Sequence, residues 1–189
     1  MSDSSKCMRF QTIVLPHLDS AFNLACWLTR NRSDAEDVVQ EACLRAFKFF
    51  DSFHGDEPRA WLLTIVRNTF YTWYRQNHPA AETTSFDEET HSATARDMFG
   101  ASRDGGDPEV SLMAKDSAQI LQKALKNLPM EFREVMVMRE LEDLSYKQIA
   151  SVVGIPIGTV MSRLGRGRKM LAQALAPEKQ EAAWITKKY

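Results

Sequence analysis

A chain of 189 residues with 44% hydrophobic content has enough apolar material for one sizeable domain or two small ones, which excludes disorder throughout. Its net charge of −1 excludes a uniformly basic, nucleic-acid-coating surface, so any such role needs segregated cations. No apolar run approaches the ~20 residues of a membrane span, and the polar opening Met1-Ser2-Asp3-Ser4-Ser5 lacks signal-peptide character. Cys7, Cys26 and Cys43 match neither a disulfide framework nor a zinc motif. Cys26 and Cys43 lie in apolar helical stretches and read as buried free thiols, with redox sensing as the alternative. The expected setting is the reducing cytoplasm, without membrane insertion.

Taken in chain order, Ile13, Val14, Leu18, Phe22, Ala25 and Cys26 recur at helical spacing and predict a helix from about Phe10 to Arg30. Ser33 with Glu36 fits a capping box opening a second helix, whose apolar side holds Val38, Val39, Ala42, Leu44, Ala46 and Phe49. Residues Asp51 to Asp56 read as a loop. A third helix starts near Glu57-Pro58, where proline suits the first turn, and ends before Pro79. Trp61, Leu62, Ile65, Val66, Phe70 and Trp73 form its core face. From Pro79 to Pro108 Ser, Thr, Ala, Gly and Asp dominate and acids outnumber bases, which predicts an acidic linker with Phe86, Met98 and Phe99 as its only anchor points.

Helical periodicity returns at Val110 and Leu112, runs through Ile120, Leu121, Leu125 and Leu128, and resumes after Pro129 with Phe132, Val135, Met136 and Met138. Ser145 to Leu164 then carries a second capping box (Ser145, Gln148), inward Ile149 and Val153, and small Ala150 at a crossing. Gly154 sits at a sharp turn, Pro156 opens the next helix, and Val160 and Leu164 pack back. These features together predict a helix-turn-helix, whose second helix enters the DNA major groove; a helical hairpin without that role is the alternative. Arg163, Arg166, Arg168 and Lys169 are the only charged residues from Gly154 to Ala176. They suit phosphates and guanine edges, where a merely solvated face is the alternative. Pro177 is expected to stop the last helix.

Catalytic signatures are missing. The sequence contains no P-loop, His-Glu-x-x-His, nucleophile elbow or Cys-x-x-Cys, and His17, His54, His78 and His91 are scattered. Neither an enzyme nor a metal or cofactor is expected.

Three segments in order resemble the extracytoplasmic-function branch of bacterial RNA polymerase sigma factors: Asp34-Ala-Glu-Asp-Val-Val-Gln-Glu-Ala-Cys-Leu-Arg-Ala-Phe47, Pro58-Arg-Ala-Trp-Leu-Leu-Thr-Ile-Val-Arg-Asn68, and Leu128-Pro-Met-Glu-Phe-Arg-Glu-Val continuing to Leu164. The resemblance implies an all-α fold of two small helical domains joined by an acidic flexible linker, the second a helix-turn-helix domain. Residues 8–78 would bind core polymerase and open the −10 element, 79–109 would be the linker, 110–176 would read the −35 element, and 177–189 would be a polar tail. The polymerase-facing set would be Asp34, Glu36, Asp37, Gln40 and Glu41, with capping as an equal alternative for Glu36. For −10 DNA it would be the loop Phe53, His54, Gly55 and Asp56 with Arg59, Arg67, Asn68, Tyr71 and Arg75. Tyr71 and Tyr74 are expected on the exposed face, with a rim position as the alternative, and Trp61 and Trp73 in the core, with stacking platforms as the alternative. For −35 DNA it would be Thr159, Met161, Ser162, Arg163, Gly165, Arg166, Arg168 and Lys169, with Met161 and Gly165 departing from the family's usual residues. Implied partners are core RNA polymerase, promoter DNA and an anti-sigma factor, with a monomer when free. A sigma mimic or an ordinary helix-turn-helix regulator is the competing reading.

In that family the two promoter elements lie some two DNA turns apart, roughly 70–80 Å. A linker of about 30 residues spans at most about 100 Å extended, and its ends average about 30 Å apart as a coil. Polymerase, rather than the linker, is therefore expected to set the separation of the domains.

Overall fold

The computed structural model describes residues 3–78 and 118–186, with side chains over 4–78 and 118–176. The expected linker, its anchor points Phe86, Met98 and Phe99, and the helix start near Val110 lie outside the described residues. Among those described, every regular element is helical.

Helix α1 spans Asp3–Ile13 and α2 Leu18–Thr29, separated by a 3₁₀ turn at Leu15–His17. One continuous helix was expected from Phe10 to Arg30. Pro16 interrupts it, because proline lacks an amide hydrogen and disfavours helical geometry in the residue before it. Helix α2 ends at Arg30, whose φ of 60° is left-handed and whose amide donates to the Cys26 carbonyl. Helix α3 covers Arg32–Phe49. Its cap is Asn31, not Ser33: the Asn31 Oδ1 accepts from the Ser33 amide (2.8 Å) and the Asp34 amide (3.4 Å). Asparagine caps as well as serine does, and Glu36, released from capping, pairs with Arg32 at 3.1 Å.

The inner stripe of α3 is Ala35, Val38, Ala42 and Ala46. These small residues let α2 and α4 (Pro58–Asn77) approach closely. Helix α4 buries Leu62, Leu63, Val66 and Phe70 in the same three-helix core, at roughly 1.5–3 kcal/mol for each large side chain. Helix α1 docks through Phe10, edge-on to Phe47 (5.2 Å between centroids) and Phe50 (5.3 Å).

In the rear half, residues 118–126 form α5. Helix α6 (Met130–Met136) runs into a π-helical turn at Val137–Leu141, followed by α7 (Tyr146–Val153) and α8 (Ile157–Thr186). Arg133 is buried and ties the α5–α6 corner, donating from Nη1 to the carbonyls of Lys126 (2.8 Å) and Leu128 (3.1 Å). Burial, and then the charge of Arg30, press its pKa below the ordinary arginine value. Helix α8 continues through Pro177, where an end was expected. A single proline removes one hydrogen bond and bends a propagating helix without necessarily ending it.

The halves pack against each other, α4 on α7 and α2 on α6. The buried apolar side chains from Phe10 to Leu164, Ala124 excepted, form one cluster that continues across the contact.

Candidate nucleic-acid interface

The turn that aims α8 is built from local chemistry. Ser145 Oγ accepts from the Gln148 amide (3.2 Å) while the Gln148 side chain accepts from the Ser145 amide (2.8 Å), the full capping box. Ile149, Val152 and Val153 are buried, and α7 stops at Gly154, whose φ of 73° is the left-handed value the turn demands. The Pro156 carbonyl accepts from the amides of Thr159 and Val160. Val160 and Leu164 are buried, which turns the opposite edge of α8 outward.

That outward edge carries Met161, Ser162, Gly165, Arg166 and Lys169, all exposed, with Thr159 half-buried beside them. Its two glycines differ. A Cβ on Gly165 would meet nothing within 4 Å, whereas one on Gly167 would lie 3.0 Å from Met136 Cγ, so Gly167 is where α8 crosses α6 closely. Two of the expected DNA cations are already paired. Arg168 bonds Glu140 twice (2.7 and 3.1 Å), and Arg163 reaches Glu134 (3.4 Å) and Glu131 (3.8 Å).

In the front half, Phe53 lies against Trp61 at 4.8 Å, His54 Nδ1 is 2.8 Å from the Ser52 carbonyl, and Gly55 and Asp56 are exposed. Trp61 and Trp73 pack partly buried against the core. Asn68 and Arg75 are exposed on α4, with Arg75 Nε donating to the Tyr71 carbonyl. Tyr71 differs from its expected exposed position. It is largely covered and its hydroxyl bonds Glu134 at 3.2 Å. Burial, and then the Glu134 charge, push its pKa up. Tyr74 stacks on His78 at 4.4 Å.

The contact between the halves is where the expected DNA arginines converge. Arg67 donates to both oxygens of Glu134 (2.9 and 3.3 Å) and lies over the Tyr71 ring at 4.6 Å. Burial opposes the Arg67 charge, but the hydrogen bond and charge of Glu134 outweigh it and hold its pKa above the ordinary value. Arg59 bonds Ser20 (3.1 Å) and Glu142, and Asn23 donates to the same Glu142 carboxylate. Glu134 and Glu142 are 1% and 5% exposed, and neither was anticipated from the sequence. The available signal was a carboxylate on the inward stripe of α6, beside Val135 and Met136.

On the far side of the front half, Glu36, Asp37, Gln40 and Glu41 are exposed along α3 and Asp34 is half-buried at its first turn. Glu41 pairs with Arg45 at 2.7 Å. Leu44 is exposed between Glu41 and Lys48 and extends this strip. Among the described residues no His, Cys, Asp or Glu group is gathered to hold a metal, and no helix is long and apolar enough to cross a membrane.

Two family models match this chain. Residues 13–79 match the family model of Sigma-70 region 2, and residues 118–171 match that of Sigma-70 region 4. The ECF RNA polymerase sigma factor SigE of Mycolicibacterium smegmatis is 31% identical over 96% of this chain and 67% of its own length. The ECF RNA polymerase sigma-E factor of Escherichia coli K12 is 33% identical over 76% of this chain and 75% of its own. Among solved structures, the sigma factor RpoE in complex with the anti-sigma factor NepR from Bartonella quintana superposes with a TM-score of 0.68 at 29% identity, covering 89% of this chain and 97% of that one. CnrH in complex with the cytosolic domain of CnrY superposes at 0.59 with 25% identity, covering 89% and 88%.

Proposed function

This chain belongs to the extracytoplasmic-function sigma factors of bacterial RNA polymerase, and on that premise we propose how its parts share the work. As a sigma factor it binds core RNA polymerase, recognises the promoter −10 and −35 elements and promotes strand opening. The residue assignments are our own reading. Asp34, Glu36, Asp37, Gln40 and Glu41 meet a basic surface of the polymerase, helped by the favourable placement of acids near a helix N-terminus. The loop Phe53 to Asp56 and the α4 residues Arg59, Arg67, Asn68, Tyr71 and Arg75 hold the opened −10 strand. Thr159, Met161, Ser162, Gly165 and Arg166 face the −35 groove, with Arg163, Arg168 and Lys169 on phosphates.

Residues 8–78 and 110–176 act as the two functional units, with 79–109 joining them and 177–189 as a tail. The protein works in the cytoplasm with polymerase and performs no catalysis itself; polymerase carries the phosphoryl transfer. It is held in check by an anti-sigma factor, as the solved relatives RpoE and CnrH, each captured with a partner protein, suggest by analogy.

The observation that carries this reading is a capped helix-turn-helix presenting Arg166 and Lys169 outward, in one chain with a separate acidic helix face. Run-off transcription with purified core polymerase tests it: only a sigma factor starts RNA at a defined site. Arg163→Ala with Arg166→Ala is expected to lower promoter-specific initiation and leave core binding intact. An equal fall in core binding would refute the division of labour.

A further inference from the structure

In a helix-turn-helix the N-terminal residues of the second helix touch the base edges. In this chain that end of α8 is apolar. Val160 and Leu164 are buried, so the exposed surface of the first turns consists of two rows of residues four apart. One row holds Ile157, Met161 and Gly165, and the other Gly158, Ser162 and Arg166. Ile157 is 45% exposed and Met161 55%, two large apolar side chains left facing water. A Cβ on Gly158 or Gly165 would meet nothing within 4 Å, so each glycine leaves open room beside them.

The polar groups around this pair are largely committed. Ser162 Oγ donates to the Thr159 carbonyl at 3.0 Å, which leaves its hydroxyl only lone pairs to offer. Arg163 is paired with Glu131 and Glu134, and Arg168 with Glu140. The first exposed cation along this face is Arg166. The leading end of α8 therefore brings apolar surface and one acceptor oxygen to the groove, with no charged donor. In the major groove every base pair displays hydrogen-bonding groups, but only thymine displays an apolar one, its C5-methyl. Adenine and cytosine display the amino group that an acceptor needs.

We propose that Ile157 and Met161 are specificity-determining residues that select thymine by its C5-methyl group, while the Ser162 oxygen accepts from the amino group of a neighbouring adenine or cytosine. Arg166, one turn further on, takes the guanine edge. The −35 element of this chain then opens on A·T pairs where α8 enters and carries a G·C pair beyond them. The exposed cations Arg166 and Lys169 behind the apolar pair press it against a polyanion, which favours duplex DNA as the occupant over an apolar protein surface. The idea rests on the assignment of α8 to −35 DNA made above. It adds Ile157 to that set and names the chemical group that is read.

The test uses holoenzyme assembled from the full chain and core polymerase. Duplexes retained from a pool randomised throughout are sequenced, and the enriched upstream block is remade with uracil in place of thymine, which removes only the methyl groups. Wild-type holoenzyme should bind the uracil duplex about fourfold more weakly for each methyl contacted. Ile157→Ala with Met161→Ala should bind the thymine duplex as weakly as wild type binds the uracil one, and should no longer distinguish the two. Both side chains are exposed, and an unchanged circular dichroism spectrum shows that the variant is folded. Equal binding of the two duplexes by wild type overturns the proposal and leaves the apolar pair to a protein partner. A folded variant that keeps the full methyl dependence overturns it too. Arg166→Ala keeps the two readings apart. If it weakens the selected duplex while uracil has no effect, α8 reads DNA and the methyl selection falls alone. If it leaves that duplex as tightly bound as before, the −35 assignment falls and takes the proposal with it.

Discussion

The two glycines of the recognition helix look equivalent in the sequence and are not. Both lower helix propensity by up to about 1 kcal/mol relative to alanine. Gly165 faces open space, so Gly165→Ala is expected to stabilise the rear half by up to about 1 kcal/mol. Gly167→Ala would drive a methyl against the buried Met136, and overpacking of that kind costs about 1–3 kcal/mol, which outweighs the propensity gain. Opposite shifts of the urea midpoint check the pair. Cys26 supplies a second prediction. Burial is the largest influence on its thiol and pushes the pKa up to about 11. At pH 8 almost none of it is thiolate, so a maleimide should label exposed Cys7 quickly and Cys26 only after denaturation. Gly154 and Cys26 were legible as a left-handed turn and a buried thiol because local pattern decides both. Glu134 was not, since its partners Arg67 and Arg163 lie 67 and 29 residues away.

For the elements, chain pattern located the helices well and their ends less well. The capping box at Ser145 was readable because both of its residues lie within one turn. At α3 two capping sequences overlap, and the choice of Asn31 over Ser33 depends on the extended backbone at Asn31 (φ −136°, ψ 133°) that follows the left-handed Arg30. Asn31→Ala should therefore cost about 1 kcal/mol, as loss of an N-cap does, while Ser33→Ala should stay within about 0.5 kcal/mol. Thermal or urea unfolding separates the two. The break at Pro16 was signalled by the residue itself but hidden by apolar periodicity continuing on both sides. The exposed strip of α3 leads to an affinity prediction. Asp37→Lys with Glu41→Lys should lower core polymerase affinity at least tenfold, because like charges then face the basic partner, and leave duplex binding by the rear half unchanged. Pull-down with core polymerase and a duplex gel shift read the two effects.

At the scale of the whole molecule, the helical class and the helix-turn-helix were readable from periodicity. The way the halves sit together was not, because it depends on side chains far apart in the chain, such as Arg67 and Glu134. The contact is uneven along α8. Arg163 is engaged with Glu134, whereas Arg166 and Lys169 remain exposed on the same helix. On the assignment proposed above, those two cations stay open to the phosphates of double-stranded DNA in this arrangement. Contact of that kind is independent of sequence and fades steeply as salt rises.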